Sequence, residues 1–493
     1  MASAILASLL HPSELVSLVQ YAVHEHRQSK AAQAAQRSRS PTADADADAD
    51  EGHAPDTLAR CYHYLNLTSR SFAAVIRALH PALRDAICIF YLALRGLDTV
   101  EDDMSIPLDR KLAVLAKFHE FLGTPGWTFT ENGPDEKDRA LLVEFDVVVD
   151  QYLRLPAEMR AVIGDITQRM ATGMAEYCVR AYEQDKAAAA SPDLLSGNRV
   201  QTIDEYNVYC HYVAGLVGHG LTRLFLASGL ESAAAELLAD DLYLANSMGL
   251  FLQKINITRD FHEDYLENRV FWPREIWGRY ASELKGLLDA EDNYAVGRAA
   301  LNHMCTNALL HVRDVLAYLS YLSDPTVFRF CAIPQVMAIA TLALVYNNPR
   351  VFQGNVKIRK GLAVQLILQS NSLEEVKPVF ARFARELKNK ALAYLREVER
   401  DGSKDWEAEE RRVGKADKVK ELVGVCDEII RECDPKGVDV ASKDKKVEPV
   451  NAEGKVWAIA KRVSEPQTVR RAAIVAGAAA TAWVVYRRYA NSA

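Results

Sequence analysis

An all-α fold is what this sequence predicts between residues 56 and 400, and three observations carry the expectation. Apolar residues recur at spacings of three and four, as in "LARCYHYLNLTSRSFAAVIRALH", "AVLAKFHEFL", "VYCHYVAGLVGHGLTRLFLA" and "PVFARFARELKNKALAYLREVE", the period of helices that bury one face. Strand-like alternation of apolar and polar residues is scarce. With 493 residues, 49% hydrophobic and 25% charged, the chain has an ordinary globular composition and the length to bury a large core. Residues 56–400 therefore read as a single large helical domain.

The remaining elements follow in chain order. Residues 1–26 read as an N-terminal helical segment. Its "MASAILASLLHPSE" lacks the basic start of a signal peptide. Residues 27–55, including "QSKAAQAAQRSRSPTADADADADEGHAP", hold almost no large apolar side chain. Such a stretch cannot offset its ordering entropy and is expected to be a disordered insertion. After the domain come a charged helical extension over 401–433 and a polar linker over 434–471. Residues 472–486, "AAIVAGAAATAWVVY", carry no charge and are bracketed by Arg470, Arg471, Arg487 and Arg488. About fifteen helical residues reach only roughly 22 Å, short of a roughly 30 Å hydrocarbon core. Snorkelling arginines with Trp483 and Tyr486 make up part of the difference, so the segment reads as a C-terminal membrane anchor. A packed or interfacial helix is the alternative.

Charge and cysteines narrow the class. The 59 basic residues are outnumbered by 66 acidic ones, for a net charge of −7, which argues against a nucleic-acid binder that relies on overall charge. The eight cysteines are scattered, form no CxxC pair, and in several cases sit in apolar helical stretches. Reduced, buried thiols are the expectation.

The chemistry is concentrated in two acidic runs. "LDTVEDD" follows the apolar "AICIFYLAL" and sets Asp98, Glu101 and Asp102 at i, i+3 and i+4, with Asp103 beside them. Three carboxylates on one face at a helix C-terminus repel one another and the helix dipole, so something positive is required. The D-x-x-E-D lettering recurs as Asp260, Glu263 and Asp264 in "NITRDFHEDY", after "ANSMGLFLQKI". Paired carboxylate sets suit Mg²⁺, which takes oxygen ligands and bridges protein carboxylates to substrate phosphates. They fit the ionisation of a diphosphate ester, whose leaving group gains charge as its bond breaks. Arg70, Arg95 and Arg259 lie close in sequence as partners for that charge. No GxxxxGK[ST] loop is present, against an ATPase.

These segments resemble the squalene synthase family, in its fungal form. The markers are "LNLTSRSFAAVIRALHP", "FYLALRGLDTVEDDM", "YCHYVAGLVGHGL", "NSMGLFLQKINITRDFHED", "FWPREIW" and "VKIRKG", in that order. The resemblance implies the class I isoprenoid synthase fold, a helical bundle around a deep cavity. It implies that two farnesyl diphosphates condense to presqualene diphosphate, which NADPH then reduces to squalene. By resemblance, Asp98, Glu101 and Asp102 hold Mg²⁺ on one diphosphate, with Asp260, Glu263 and Asp264 acting opposite. Ser69, Arg70, Tyr91, Arg95, Lys137, Arg259 and Arg269 match diphosphate-contacting positions. Tyr209 matches the tyrosine that assists proton removal, although a phenol with a pKa near 10 is a poor base unless tuned. Lys357 and Arg359, with Asn256, match positions for NADPH, to which Arg70, Arg95 and Arg259 also contribute. Phe72, Phe251, Phe271 and Trp272 are candidates to line a prenyl pocket.

The resemblance further implies a monomer on the endoplasmic reticulum membrane, its catalytic domain facing the cytosol. His219 and His262 stand where the family commonly has aliphatic residues, and His262 is expected to point away from the metal. Two other readings stay open. One is a phytoene or dehydrosqualene type of synthase, with the same carboxylates and no reduction. The other is a non-catalytic scaffold for prenyl lipids.

Overall fold

The element that carries the first acidic run begins at Pro81. Proline has its φ preset for a first helical position, and His80 caps the turn, its Nδ1 accepting from the Ala82 N–H at 3.2 Å. In the computed structural model, which describes residues 56–190, 200–240, 242–400 and 406–435, every regular element is a helix, as expected. The N-terminal helical segment, the 27–55 insertion, all but the start of the linker and the 472–486 segment lie outside the described residues.

The principal helices are α1 (Thr57–Thr68), α2 (Pro81–Asp102), α3 (Leu108–Phe121), α4 (Ala157–Ala190), α5 (Ile203–Cys210) and α6 (Leu216–Ala227). They are followed by α7 (Tyr243–Arg259), α8 (Phe261–Leu266), α9 (Ala295–Leu309), α10 (Pro325–Val345), α11 (Leu373–Arg400) and α12 (Trp406–Cys433). Helices α2, α4, α6 and α7 pack around one another, with α3 laid along α4. Their apolar faces share one core that runs through the described residues.

Two close approaches set the positions of the functional helices. On α2, a Cβ added at Gly96 would fall 2.5 Å from the Phe145 ring, so glycine lets the C-terminal half of α2 lie directly on that ring. Between α5 and α6 the chain makes a π turn, His211–Gly215, the single-turn bulge that often marks functional sites. There a Cβ at Gly218 would lie 2.2 Å from the Ala245 carbonyl, and one at Gly249 would lie 2.3 Å from that of Ala214. The segment after Tyr209 and helix α7 therefore touch backbone to backbone.

Helix α10 is apolar and long enough to cross a membrane by length and composition alone, but 78% of that stretch is buried in the protein. It is a core helix. The charged segment after residue 400 is helical as α12 and packs along α11, burying Val419, Leu422, Cys426, Ile429 and Cys433. Lys388 and Asp427, 2.5 Å apart, and Arg313 with Glu428, at 3.2 Å, tie it down. All eight cysteines are free thiols, seven buried and Cys178 half-buried.

Candidate active site

The first acidic run occupies the last turn of α2, and its four acids divide by environment. Asp103 leaves the helix and is nearly fully buried. It accepts from Ser105 N–H at 2.8 Å and Ser105 Oγ at 2.6 Å, and from Asn132 Nδ2 and Gly133 N–H, both at 2.9 Å. Burial alone would raise its pKa, but these hydrogen bonds outweigh that and hold the carboxyl below its usual value. Asp103 is a turn-former.

Asp98 and Glu101 have no such set of donors. Burial pushes Asp98 up to about 7, opposed by Arg95 and reinforced by Asp102 and Asp138. Burial pushes Glu101 up to about 8, reinforced by Asp102 and Asp98 and opposed by Lys111 and Arg269. The positive charge that the sequence demanded comes from three directions. Arg95 lies 3.7 Å from Asp98 on the same helix. Lys111, from α3, donates to the Glu101 carbonyl at 2.5 Å and so caps the negative end of α2. Arg269 donates to Asp102 Oδ1 at 3.1 Å across 167 residues of sequence.

The second run repeats the i, i+3, i+4 spacing of the first but is not one continuous helical face. Helix α7 ends at Arg259, Asp260 sits outside helical geometry (φ −92°, ψ 12°), and α8 starts at Phe261. Glu263 and Asp264 thus lie in the first turn of α8, where a helix dipole favours acids. The same lettering meets an opposing dipole in the first motif and a favourable one in the second. Asp260 is held by Arg259 through two contacts of 2.5 and 2.7 Å. Burial pushes Asp264 up to about 7, opposed by Arg269 and reinforced by Asp260, Glu267 and Glu263. After α8 the chain turns at Asn268, whose φ of 56° is left-handed, a conformation asparagine tolerates at helix ends. That turn returns the Arg269 N–H to the Asp264 carbonyl at 2.8 Å and directs its guanidinium to Asp102.

Tyr209 stands between the motifs. Its ring stacks on Phe271, with centroids 4.2 Å apart, and meets the edge of Tyr177 at 4.9 Å. Burial pushes its hydroxyl well above 10, reinforced by Glu101, Cys210, Asp102 and Asp264. Carboxylates of both motifs therefore act on one neutral phenol. Next to Tyr177, the Cys178 thiol reaches Glu101 Oε1 at 3.8 Å.

The structure extends the first motif through Arg95 to the Tyr91 ring, 5.9 Å from the guanidinium, and through Tyr91 to Phe72 at 5.7 Å. Ser69 caps the short helix that carries Phe72, accepting from the Phe72 N–H at 3.3 Å. Arg70, Lys137, Asn256 and Lys357 are exposed, with no side-chain hydrogen bond or ion pair to another site residue among the described residues. Arg359 is likewise exposed. Two of the four aromatics expected to line a pocket do not. Phe251 and Trp272 are both 0% exposed, and Trp272 donates to the Ile257 carbonyl at 3.0 Å. They are core, whereas Phe72 and Phe271 keep accessible faces. His219 is also buried, 5.4 Å from the His211 ring, and burial, then His211 and Arg169, push its pKa down to about 4.

Sequence reasoning missed Lys111, Asp138 and Asn355. Asp138 lies 3.9 Å from Arg95, and Asn355 donates to Asp260 and Glu263. No local pattern marks any of the three, because each reaches its motif from another element. The hollow lined by Glu158, Val162 and Arg223 contains none of these residues.

The donor sets fit Mg²⁺. Among the described residues no three acidic, histidine or cysteine side chains are grouped so as to hold a metal ion by themselves. Mg²⁺ needs none, since it keeps several waters and is held by one or two carboxylates together with substrate phosphates. Crowded, upshifted Asp98, Glu101 and Asp264 are what a divalent cation would relieve. Lys357 and Arg359 are both exposed cations on one short segment, the side-chain type that donates to phosphate oxygens.

Residues 65–361 match the squalene/phytoene synthase family. A squalene synthase of Schizosaccharomyces pombe is 53% identical over 335 residues, 68% of this chain and 70% of the relative. One of Mus musculus is 49% identical over 331 residues, 67% of this chain and 74% of the relative. The solved complex of TcSQS with the ligand E5700 superposes with a TM-score of 0.65 at 41% identity, covering 77% of this chain and 99% of that one. On a family match that spans more than half of its length, and on relatives at about half identity, the chain belongs to the squalene/phytoene synthase family, among the squalene synthases.

Proposed function

We propose that this chain joins two farnesyl diphosphates head to head and reduces the product to squalene. The observation that carries the reading is the bridge from Arg269 to Asp102, with Tyr209 under the influence of both motifs. Two diphosphate-binding carboxylate sets face one reaction space. In the first half, one substrate loses diphosphate, the second attacks, and a proton leaves as the cyclopropane of presqualene diphosphate closes. In the second half, that intermediate loses its diphosphate and accepts a hydride.

Asp98, Glu101 and Asp102 on one side, and Asp260, Glu263 and Asp264 on the other, would hold Mg²⁺, which supplies positive charge to the departing diphosphates. Arg95, Arg259 and Arg269 orient the phosphate oxygens, with Arg70, Lys137, Ser69 and Tyr91 at the periphery. Tyr209 is too weak an acid to stand as phenolate. It takes up the substrate proton only as its own hydroxyl proton passes to a diphosphate or carboxylate oxygen. Phe271, stacked on Tyr209, presents an aromatic face to cationic carbon. Lys357, Arg359 and Asn256 would hold NADPH, which would supply the hydride.

Incubating the purified protein with farnesyl diphosphate and Mg²⁺ tests the reading. Squalene is expected with NADPH, and presqualene diphosphate without it. Dehydrosqualene as the product even with saturating NADPH would overturn it in favour of a non-reducing synthase.

The same reading gives 472–486 to the endoplasmic reticulum membrane, with a monomeric catalytic domain on the cytosolic side. Basic residues such as Lys461 and Arg462 would meet anionic lipid. The full chain should stay in the membrane fraction after a carbonate wash, and a chain ending at Pro435 should leave it and remain active. A chain ending at Arg400 should instead aggregate or lose more than about 10 °C in Tm, because it uncovers the face of α11 that α12 buries. Complete release of the full chain by the wash would make the segment peripheral.

A further inference from the structure

One side chain that neither motif nor resemblance names engages the second acidic run. Asn355 lies in the extended stretch between the 3-10 turn Pro349–Phe352 and the helix Lys360–Leu368. Its Nδ2 donates to Asp260 Oδ1 at 3.2 Å and lies 3.3 Å from each oxygen of Glu263. Its Oδ1 is buried and has no hydrogen-bond partner. Two residues further on stands Lys357, and two beyond it Arg359. One short segment thus grips the second acidic motif at one end and carries exposed cations at the other.

We propose that Asn355 is a positioning residue, a latch that couples occupation of the second acidic motif to the binding of NADPH by the segment it belongs to. The inference rests on the proposed role of Lys357 and Arg359. An amide offers two donors on one side and an acceptor on the other. While no cation occupies Asp260 and Glu263, the donor side is the favourable one. Once a divalent cation takes their oxygens, the N–H groups face spent acceptors and a positive charge. A half-turn of the amide then presents Oδ1, the oxygen left without a partner, which is the ligand type such a cation accepts. The latch therefore makes different contacts in the two states, as linkage requires. Metal-bound diphosphate and NADPH then change each other's affinity by the same factor. Such coupling holds the reductant most tightly while a diphosphate is in place to be lost.

The test uses the full chain with inorganic diphosphate and Mg²⁺ as probes, and reads NADPH affinity from its fluorescence. In the unmodified protein, Mg²⁺ with diphosphate should tighten NADPH binding at least about 5-fold. In Asn355→Ala the factor should fall to near one, while Mg²⁺–diphosphate still binds by calorimetry and Tm is retained. Asn355→Asp should restore the coupling, because a carboxylate is repelled by Asp260 and Glu263 without Mg²⁺ and is held when it is present. Full coupling in Asn355→Ala, or none in the unmodified protein, overturns the latch. A variant with both Lys357→Ala and Arg359→Ala separates the two ideas. If it binds NADPH normally, the cofactor assignment fails and the latch with it. If it loses NADPH while Asn355→Ala keeps full coupling, the latch alone fails.

Discussion

Replacing Asp98 or Asp264 by asparagine is expected to lower turnover of farnesyl diphosphate by at least roughly 100-fold, about 2.7 kcal/mol of transition-state stabilisation. On the proposed reading, each acid contributes to the charge that would hold cation and diphosphate together as the leaving group becomes more negative. Folding should not suffer. Both carboxyls are pushed up by burial and by acidic neighbours, so the neutral amide removes repulsion, and Tm without Mg²⁺ should hold or rise by a few degrees.

The pH dependence has a definite sign. Asp98, Glu101 and Asp264 sit at about 7, 8 and 7 in the folded protein, against about 4 for ordinary carboxyls. The folded chain keeps protons that the unfolded chain gives up. Their contribution to stability is therefore complete below about pH 4 and is lost as pH rises through about 7 to 8. Mg²⁺ should raise the Tm more at pH 8 than at pH 5, and Asp98→Asn should reduce that difference. Near-normal activity in either asparagine variant would end the metal assignment, whatever the Tm.

Tyr209→Phe is expected to abolish presqualene diphosphate formation, with a loss of about 100- to 10,000-fold, the range for a positioned acid–base group. The ring stacks on Phe271 and meets the edge of Tyr177, so phenylalanine keeps the packing and removes only the hydroxyl. Added presqualene diphosphate should still be converted to squalene. The paired Lys357→Ala and Arg359→Ala changes should do the reverse. They should leave the first half intact and let presqualene diphosphate or unreduced products accumulate at limiting NADPH. Product analysis by chromatography separates the outcomes. Equal loss of the first half in both variants would mean that "VKIRKG" is no dedicated cofactor segment.

The sequence made the fold class legible because helical periodicity is a local property. The three- and four-residue spacing in "AICIFYLAL" and "PVFARFARELKNKALAYLREVE" needs no knowledge of what the helices pack against. The two D-x-x-E-D runs were legible for the same reason, as was the need for positive charge beside the first. The sequence also fixed that Arg95 would be one such partner, since i and i+3 share a helical face.

What only the tertiary structure decided depends on groups brought together from distant segments. Lys111 at the end of α2, Arg269 on Asp102, and Asn355 on the second motif are contacts between elements, and no spacing rule encodes them. The break at Asp260 gives two runs of identical lettering opposite relations to a helix dipole. Periodicity within one segment cannot reveal where a neighbouring element ends a helix. Burial made the same kind of distinction among like residues. It left Phe271 facing Tyr209 and sealed Phe251 and Trp272 in the core. It also turned Asp103 into a satisfied turn acid while its neighbours stayed crowded and upshifted. Residue type and spacing specify which chemistry is available, but desolvation and through-space charge depend on distances that exist only once the chain has folded.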